Sequence, residues 1–328
     1  MKAMILIFVL FHIRLIGFSQ PSDSANIRKK AAAFTADKLA IARPVNIEFN
    51  HAAPYQFKPE KRKEPQPGSK VNALDQAKIS VNLKLKQKRS WILGTTIGYR
   101  YNHTDAELVN ATTGIINTNV NDYHYFFGSV NFSFFSTLFE KRIIYTSSLS
   151  ADGSERNLER LRGMISAVSI LKADTRIKMT LGLLINIDPS AQTPVIPIFT
   201  YEHKFTNGLI ADITLPRSIF IRKYMLKNGR LSLGTELDQT NFYVYGFEND
   251  QRRYEYRQLD IRTGVVYEHA IGNFIFTGKS GLKIMPSGDL FRKNDSVNEA
   301  VFETNAKPAF YLNAGLSFNP LNIIHKKR

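Results

Sequence analysis

Apolar and polar residues alternate with a period of two along most of the chain after residue 77. In the first such stretch, Ile79, Val81 and Leu83 alternate with lysine, serine and asparagine. A helix would distribute these polar residues around its axis, whereas a β-strand places all of them on one face. The pattern therefore predicts a sheet with one apolar and one polar face. It recurs in the segments 91–102, 177–187, 231–238, 259–267 and 310–318.

Turn signals between these segments predict how many strands there are. Short polar breaks, among them Asn207-Gly208 and Asn228-Gly229, alternate with longer polar stretches, and Asn-Gly pairs favour tight hairpins. Counting a short strand at 45–50, the pattern predicts about fourteen strands, an even number that brings both ends of the sheet to one side. The segments on either side of Pro216-Arg217-Ser218 are joined by these residues alone, so about twelve strands is the alternative.

A transmembrane barrel accounts for this pattern better than a soluble sandwich does. The predicted strands are roughly nine to twelve residues long, close to the length that a tilted membrane crossing requires. Their polar faces carry glycine, serine, threonine, asparagine and charges, as a wet lumen would, and aromatic residues near strand ends, such as Trp91 and Tyr243, fit interfacial girdles. We therefore expect an all-β fold, a transmembrane antiparallel up-and-down β-barrel that follows a short helical or irregular lead-in.

The N-terminal part of the chain departs from the alternating pattern. Residues 1–19 have the features of a cleaved secretory signal, with a lysine, then an apolar stretch, then small residues. Residues 20–76 are predicted to form a periplasmic lead-in or a plug inside the barrel, including a possible first strand at 45–50. The proline-rich segment 54–70 is predicted to be a flexible loop. The barrel itself is expected over residues 77–318.

The last predicted strand resembles the C-terminal strand of bacterial outer-membrane proteins. Phe310, Leu312, Leu316 and Phe318 alternate with polar or small residues, and the strand ends in an aromatic residue. In such proteins this residue belongs to a signal that the barrel assembly machinery reads, so the resemblance implies that role for Phe318 and that partner during biogenesis. A basic extension, residues 319–328, follows the strand and departs from the usual signal, which closes the chain.

Over about residues 40–318 the chain resembles an uncharacterised family of outer-membrane β-barrels from Bacteroidota. The resemblance rests on the order of the strands and on the segments ARPVNIEFN, PIFTYEHKF and YLNAGLSF. It implies a fold and a place in the outer membrane, with no substrate attached.

Composition narrows the function classes. The chain has no cysteine, which excludes disulfides, cysteine-ligated zinc and thiol catalysis, and which suits a periplasm-facing protein. The net charge of +16 is spread along the chain without a nucleic-acid-binding motif. We therefore expect no nucleic-acid partner and attribute the charge to contact with outer-membrane lipid and lipopolysaccharide phosphates.

Candidate catalytic chemistry is sparse. The seven histidines show no metal-ligand spacing, and we expect no metal, no cofactor and no catalytic residue. A lipid hydrolase is the less favoured alternative, and His124 with Ser129 or Ser133 is the pair that such an enzyme would use.

Charged residues on the predicted inner face are the remaining candidates for a function. By alternation the side chains that should line the lumen are Arg100, Lys178, Glu236, Asp238, Asp260, Arg262 and Lys283. A charged side chain on the lipid face would cost about 2–4 kcal/mol near the midplane of the bilayer. Charged side chains inside a barrel therefore indicate either a pore that they line or a network of ion pairs that closes the lumen. The leading hypothesis is a channel or transporter for small solutes or hydrophobic molecules. The alternative is a structural or envelope-binding barrel without transport.

Overall fold

A computed structural model describes residues 23–188, 191, 193–247, 252–293, 295, 299–320 and 324, with side chains from residue 31 onward. The predicted signal at residues 1–19 and the basic residues 325–328 lie outside this part of the chain. The described part opens with helix α1 (Asp23–Lys38) and a single 3-10 turn, Ala40–Ala42. Within the described residues, no helix combines the length and the apolar character needed to span a bilayer.

All remaining elements are strands, and they form one sheet. In chain order they are β1 (Val45–Ala52), β2 (Tyr55–Lys61), β3 (Glu64–Pro65), β4 (Ser69–Gln87), β5 (Trp91–Val109), β6 (Ile116–Leu138), β7 (Lys141–Gly153), β8 (Leu158–Ala173), β9 (Ile177–Ile187), β10 (Val195–Lys204), β11 (Leu209–Leu215), β12 (Ser218–Met225), β13 (Gly229–Tyr245), β14 (Arg253–Ile271), β15 (Phe274–Arg292), β16 (Phe302–Ala306) and β17 (Ala309–Phe318).

The sheet closes into a 14-strand antiparallel barrel, which confirms the predicted fold class and the higher of the two strand counts. From β4 to β15 each strand pairs with its neighbour in sequence, and β17 joins β15 to β1. Val45 pairs with Phe318 on one side and with Val81 on the other, so the first and last strands close the ring. We call the end at which β1 begins and β17 ends the near end, and the opposite end the far end.

The first and last barrel strands are each interrupted once. β2 continues β1 in the same register against β4, and β16 leads into β17 in the same register against β15. Pro54 and Pro308 fall in the two breaks, where proline can supply no ladder hydrogen bond. Backbone bonds from Ala53 to Phe310 and from Lys307 to Gln56, at 2.9 and 2.8 Å, hold the two strands together across the breaks.

The two faces of the wall differ as the alternation predicts. On β1, Ile47 and Phe49 are 45% and 52% exposed on the outside, while Asn46 and Asn50 are buried on the inside. The other strands repeat this arrangement, with apolar side chains exposed outside and polar ones buried within. An exposed apolar outer face around a buried polar interior is the inverse of a soluble domain, and it fits a barrel that is solvated by lipid.

The barrel wall extends further toward the N-terminus than the predicted boundary at residue 77. The first strand begins at Val45, and β4 reaches back to Ser69. The predicted loop over 54–70 is largely strand, because Tyr55, Phe57 and Pro59 alternate with polar residues despite the prolines. Its inner residues pack into a small far-end core of Ala52, Phe57, Val71, Leu74 and Ala106.

Several strands are far longer than a membrane crossing requires. β5 and β14 each have 19 residues and β6 has 23, against roughly nine to eleven for a crossing. Polar stretches that resemble outer loops in the sequence, such as 103–121, therefore continue the strands beyond the far rim. β5 and β6 stay paired as far as Val109 and Ile116.

Three glycines mark a close approach of β13, β14 and β15. Gly234 pairs with Gly264, which pairs with Gly281. A Cβ on Gly264 would lie 2.1 Å from the Ser280 carbonyl oxygen, and one on Gly281 would lie 2.1 Å from that of Thr263. The wall can take this shape only because these positions lack side chains.

The C-terminal strand ends where the sequence predicts. The Phe318 ring packs against that of Phe274 at the near rim in a tilted arrangement, with ring centroids 5.5 Å apart. Beyond it, Ile324 is 1% exposed and packs on Ala270 and Ile275. Part of the extension therefore folds back against the inside of the wall, which its basic composition does not predict.

Candidate functional site in the barrel lumen

The charged residues predicted to line the lumen all take part in inward contacts. Arg100, Glu236, Asp238 and Arg262 line a cavity of about 1050 Å³ inside the barrel. Lys178, Asp260 and Lys283 do not line this cavity and are held in ion pairs.

One ion-pair network joins β13, β14 and β15 to β4. Asp238 lies 2.5 Å from Lys78 Nζ and 2.7 Å from Arg262 Nη2. Asp260, fully buried, is the second partner of Arg262, at 3.8 Å, and lies 3.9 Å from Lys283 Nζ. Each carboxylate here has more than one cation, so the network cross-links the wall instead of leaving fixed charge in the lumen.

Arg100 and Glu236 lie at the edges of this network. Glu236 accepts a hydrogen bond of 2.7 Å from Lys279. Arg100 donates to the Gln239 carbonyl oxygen at 2.9 Å, and its guanidinium lies over the rings of Tyr125 and Phe127. Among the predicted lumen residues, Arg100 forms no ion pair in the described contacts. Its positive charge is stabilised by the two aromatic rings and the carbonyl oxygen.

The near mouth of the barrel is filled by the chain's own N-terminal segment. Residues 34–43, the end of α1 and the 3-10 turn, contact strands around the circumference; we call them the plug. Asn82 of β4 donates to the carbonyl oxygens of Ile41 and Arg43 at 2.6 and 2.7 Å. On the opposite wall Lys178 of β9 lies over the Phe34 ring, 4.8 Å from its centroid.

Lys38 is the plug's anchor on β10 and β11. Its Nζ lies 2.5 Å from Glu202 and 2.6 Å from Asp212, and its side chain is 5% exposed. Lys178 binds the other oxygen of Glu202 at 2.8 Å. A charge pair so well removed from water is held firmly, because breaking it leaves an uncompensated buried charge.

Arg43 and Asp37 anchor the plug on the nearby strands β13 and β14. Arg43 lies 2.6 Å from Glu268 of β14, and Asp37 lies 2.6 Å from Arg230 of β13. Burial alone would raise the pKa of the Asp37 carboxyl, but Arg230, with Arg222 beyond it, outweighs burial and holds that pKa below its ordinary value. Arg230 also binds Glu268 at 2.5 Å, so one arginine connects the plug and the wall.

The two glutamates that hold the plug belong to a repeated tripeptide. Tyr201-Glu202-His203 on β10 and Tyr267-Glu268-His269 on β14 have the same sequence. In each, the glutamate points inward to the plug, while the tyrosine hydroxyl and the histidine Nδ1 are hydrogen-bonded at 3.1 Å on the other face. The repetition is the sequence signal that marks these glutamates, which the list of predicted lumen residues does not include.

Above the plug, neutral hydrogen-bonding side chains are numerous on the cavity wall formed by β4 to β7, which also carries Lys78, Arg100 and Asp152. Thr96 donates to Asn82 at 2.7 Å, and Asn131 accepts from Ser148 at 2.7 Å. The hydroxyl and amide side chains of this wall that line the cavity are Ser80, Ser129, Asn131, Ser148 and Ser150. The cavity therefore has a side rich in neutral hydrogen-bonding groups facing a side of paired charges.

At the far end the upper part of β13 leans across the lumen. The Tyr123 ring stacks on Phe242 with centroids 4.1 Å apart, although β6 and β13 are not neighbours in the sheet. The hydroxyl of Tyr243 donates to Asp152 of β7, and that of Tyr245 donates to Glu159 at 2.8 Å. These contacts form a roof over part of the cavity.

A second ionic network secures the roof. Arg162 contacts Asp152, Asp188 and Glu255 at 2.6, 2.6 and 2.9 Å. Because Glu255 lies on β14, this arginine links β7, β8 and the residue that follows β9 to the opposite wall of the barrel.

The serine and histidine pair considered for a hydrolase lies on two faces of β6. His124 is hydrogen-bonded to the Tyr99 hydroxyl at 2.8 Å on the outer surface. Ser129 and Ser133 face inward, bonded to Asn131 and Thr146. The structure does not bring these side chains together. Among the described residues, no group of three or more histidine or acidic side chains converges as a metal site.

A family model described as "Domain of unknown function (DUF6268)" matches residues 38–319. The chain belongs to the DUF6268 family. The matched range begins at Lys38, so it includes the plug residues Lys38 and Arg43 together with the whole barrel. No curated protein matches this DUF6268 chain.

Solved structures that resemble the DUF6268 barrel include three bacterial proteins. The transport unit of the autotransporter AIDA-I from Escherichia coli is 10% identical, with a TM-score of 0.29, and the match covers 92% of this chain and 100% of that one. The outer membrane protease OmpT from Escherichia coli is 10% identical, with a TM-score of 0.23 and coverage of 84% and 96%. The β domain of the Bordetella autotransporter BrkA is 7% identical, with a TM-score of 0.23 and coverage of 84% and 100%.

Proposed function

We propose that this protein is an outer-membrane pore for small polar solutes, closed at its near mouth by its own N-terminal plug. The observation that carries the proposal is the set of buried ion pairs that join Lys38 to β10 and β11, Asp37 to β13 and Arg43 to β14, beneath a cavity of about 1050 Å³. A lumen with room for a solute and a separate segment across one mouth is the arrangement of a gated pore.

The proposed outer-membrane location rests on the outer face of the barrel. Apolar side chains such as Leu183 and Ile97, 54% and 56% exposed, would be costly to leave in water. Except beside the short strands β11 and β12, the closed barrel pairs its strands on both sides and so satisfies their ladder hydrogen bonds, which is what a bilayer demands of strands. The near end, with the short turns, the plug and the end of β17, would then face the periplasm.

The chemistry of the cavity favours polar solutes of low net charge. Its charged side consists mainly of cations paired with carboxylates, and its other side offers serine hydroxyls and an asparagine amide. Hydroxyl and amide groups replace the hydration shell of a neutral solute without attracting ions strongly. The cavity volume is at the upper end of the range of about 300–1,000 Å³ typical of sites for one small molecule.

Swelling of proteoliposomes in solutions of neutral sugars and amino acids tests this proposal. The variant that carries K38A and R43A removes two anchors of the plug and should admit these solutes faster than the wild type. K172A removes a lysine whose pair with Asp174 is half exposed at a near-end turn, so it should leave uptake at the wild-type rate. Equal, negligible uptake by all three proteins would contradict a pore.

A structural barrel without transport is the second candidate, and the same networks favour it. The pair of Arg162 with Glu255 joins β8 to β14, and the pair of Lys78 with Asp238 joins β4 to β13, so ion pairs cross the lumen at two levels. If the barrel admits no solute even after the plug anchors are removed, these ties close it permanently and the structural role is the better account.

A further inference from the structure

The β11–β12 hairpin leaves a gap in the wall. β11 has 7 residues and β12 has 8, and the turn between them is formed by Pro216 and Arg217. Ladder pairing with β10 ends at Phe199 and Leu215, and pairing with β13 ends at Ser218 and Glu236. A hydrogen bond of 2.7 Å from the Leu237 amide to the Arg217 carbonyl oxygen follows the last pair on the β13 side.

Both flanking strands continue beyond the turn. Residues 195–198 of β10 and 238–245 of β13 have no ladder partner on the side of the hairpin within the described chain. We call the space between them the notch. Apolar residues from both of its edges and from its base line the same cavity as the lumen charges, namely Ile196, Pro197, Pro216 and Leu237. The cavity therefore reaches the wall at the notch.

The notch lies at the level of the apolar outer band. A tilted crossing takes roughly nine to eleven residues, so strands of 7 and 8 residues end within the bilayer. The nearby β9 carries exposed apolar residues past the level at which β11 ends, namely Leu183, Ile185 and Ile187. Lipid chains, not solvent, would cover the outside of this gap.

An arginine whose guanidinium nitrogens are not all hydrogen-bonded lies below the notch, on the inner face of β12. Arg222 lines the cavity, and its side chain is 7% exposed. Its Nε forms an ion pair with Asp212 at 2.7 Å, but neither Nε nor Nη1, both buried, makes a hydrogen bond to another described residue. A buried guanidinium nitrogen without an acceptor is costly, and an anion would satisfy it.

The path from the notch to Arg222 is apolar at its midpoint. Phe220 lies between Ser218 and Arg222 on the inner face of β12, is 7% exposed and lines the cavity. At about 3.3 Å per residue, the Arg222 backbone lies about 13 Å along the strand from Ser218 at the base of the notch. Its guanidinium lies over the Phe220 ring, 5.3 Å from the centroid, so the cation is at the end of this apolar surface. A molecule that fits this path has an apolar chain and an acidic group at one end.

We propose that the notch is a lateral entrance through which a single-chain amphipathic anion, such as a fatty acid, passes between the membrane and the lumen. The chain crosses the notch and lies along Phe220, and the acid group binds Arg222. This inference goes beyond the proposed pore for polar solutes, because it concerns a second opening and a different class of ligand. It stands whether or not the far end conducts polar solutes.

Tryptophan fluorescence in phosphatidylcholine vesicles tests the entrance. The chain has a single tryptophan, so W91F together with F220W places the one fluorophore on the path. Stearate brominated at mid-chain should quench this tryptophan saturably. Adding R222Q should weaken quenching by the acid at least tenfold and leave quenching by the matching brominated alcohol unchanged, which a loss of structure would not do.

A charge at the edge of the notch tests the route. L237E in the same background should slow quenching by the acid at least tenfold, because the new carboxylate repels the acid group at the entrance. L282E places an equal charge on the lipid face of β15, where Leu282 is 54% exposed, and should leave the rate unchanged. Absence of saturable quenching, equal effects of R222Q on acid and alcohol, or equal rates in L237E and L282E would overturn the proposal.

Discussion

Arg43 and Glu268 meet inside the barrel, with Nη2 of the arginine 2.6 Å from Oε1 of the glutamate and both side chains at least nine-tenths buried. The arginine follows the N-terminal helix, and the glutamate lies 225 residues later on β14. Because Arg230 shares the same carboxylate, this glutamate joins two cations, one from the plug and one from the wall. This contact holds the N-terminal plug inside the barrel, where it occupies part of the lumen.

Removing the Glu268 charge should release the plug. E268Q keeps the size of the side chain but leaves Arg43 and Arg230 without their shared carboxylate. Loss of one partner from a buried pair costs about 3–5 kcal/mol, so we expect conductance in planar bilayers to rise and the free energy of unfolding in urea to fall by that order. K172A, at an exposed pair, serves as the control; E268Q with wild-type conductance and stability would refute the assigned role.

The plug should also respond to acid through Asp37. The pKa of Asp37 lies below the ordinary value of 3.8 when the plug is in place. The ion pair of Asp37 with Arg230 therefore stabilises the closed plug fully above pH 3.8, and this stabilisation is lost as the pH falls through the depressed pKa. We expect conductance to stay low at neutral pH and to rise only below about pH 4. D37N should already conduct more at neutral pH and respond less to acid. A wild-type barrel that stays closed well below that pH would contradict this.

A methyl group on Gly264 should damage the wall. Its Cβ would lie 2.1 Å from a backbone oxygen and 2.8 Å from the Gly281 Cα, and backbone cannot move aside as a side chain tip can. G264A should therefore lower the free energy of unfolding by about 1–3 kcal/mol. G278A is the matched control on β15, since a Cβ there meets no atom within 4 Å. Similar unfolding midpoints in urea for both variants would rule out the close approach.

The roof should loosen when Tyr243 loses its hydroxyl. Y243F removes the hydrogen bond to Asp152, a carboxylate that is 3% exposed. Leaving a buried acceptor with one partner fewer costs about 1–3 kcal/mol, so we expect a lower temperature for the shift in gel mobility that accompanies barrel unfolding. Y99F removes a tyrosine hydroxyl bonded to His124 on the outer face and should change this temperature less. The reverse order of the two variants would count against the roof.

The fold could be predicted from the sequence because the alternation is a local signal. Residues such as Ile79 and Ser80 are assigned to the outer and inner faces by their neighbours alone, and the structure places them at 40% and 4% exposure. The strand segment 55–61 was harder to predict, because Pro59 masks an alternation that pairing with β16 makes possible. The predicted strands end earlier than the observed ones at the far end. There both faces of a strand carry polar residues, so the sequence has the composition of a loop.

The candidate site depended on contacts between distant parts of the chain. The sequence places Asp238 and Arg262 on inner faces, but it does not show that Lys38 reaches Glu202, 164 residues away. The plug was one of two predicted positions for the N-terminal segment, and composition alone could not choose between them. The sequence does show the short connection at Pro216. It does not show the notch, because the gap arises only where the neighbouring strands β10 and β13 continue past this connection.

Single-channel conductance of the barrel without residues 23–43, beside the full chain, decides whether the plug closes a pore. We expect discrete openings for the shortened barrel at neutral pH and few or none for the full chain. A shortened barrel that folds in detergent, inserts into planar bilayers and still carries no current would contradict the claim that the plug closes a pore.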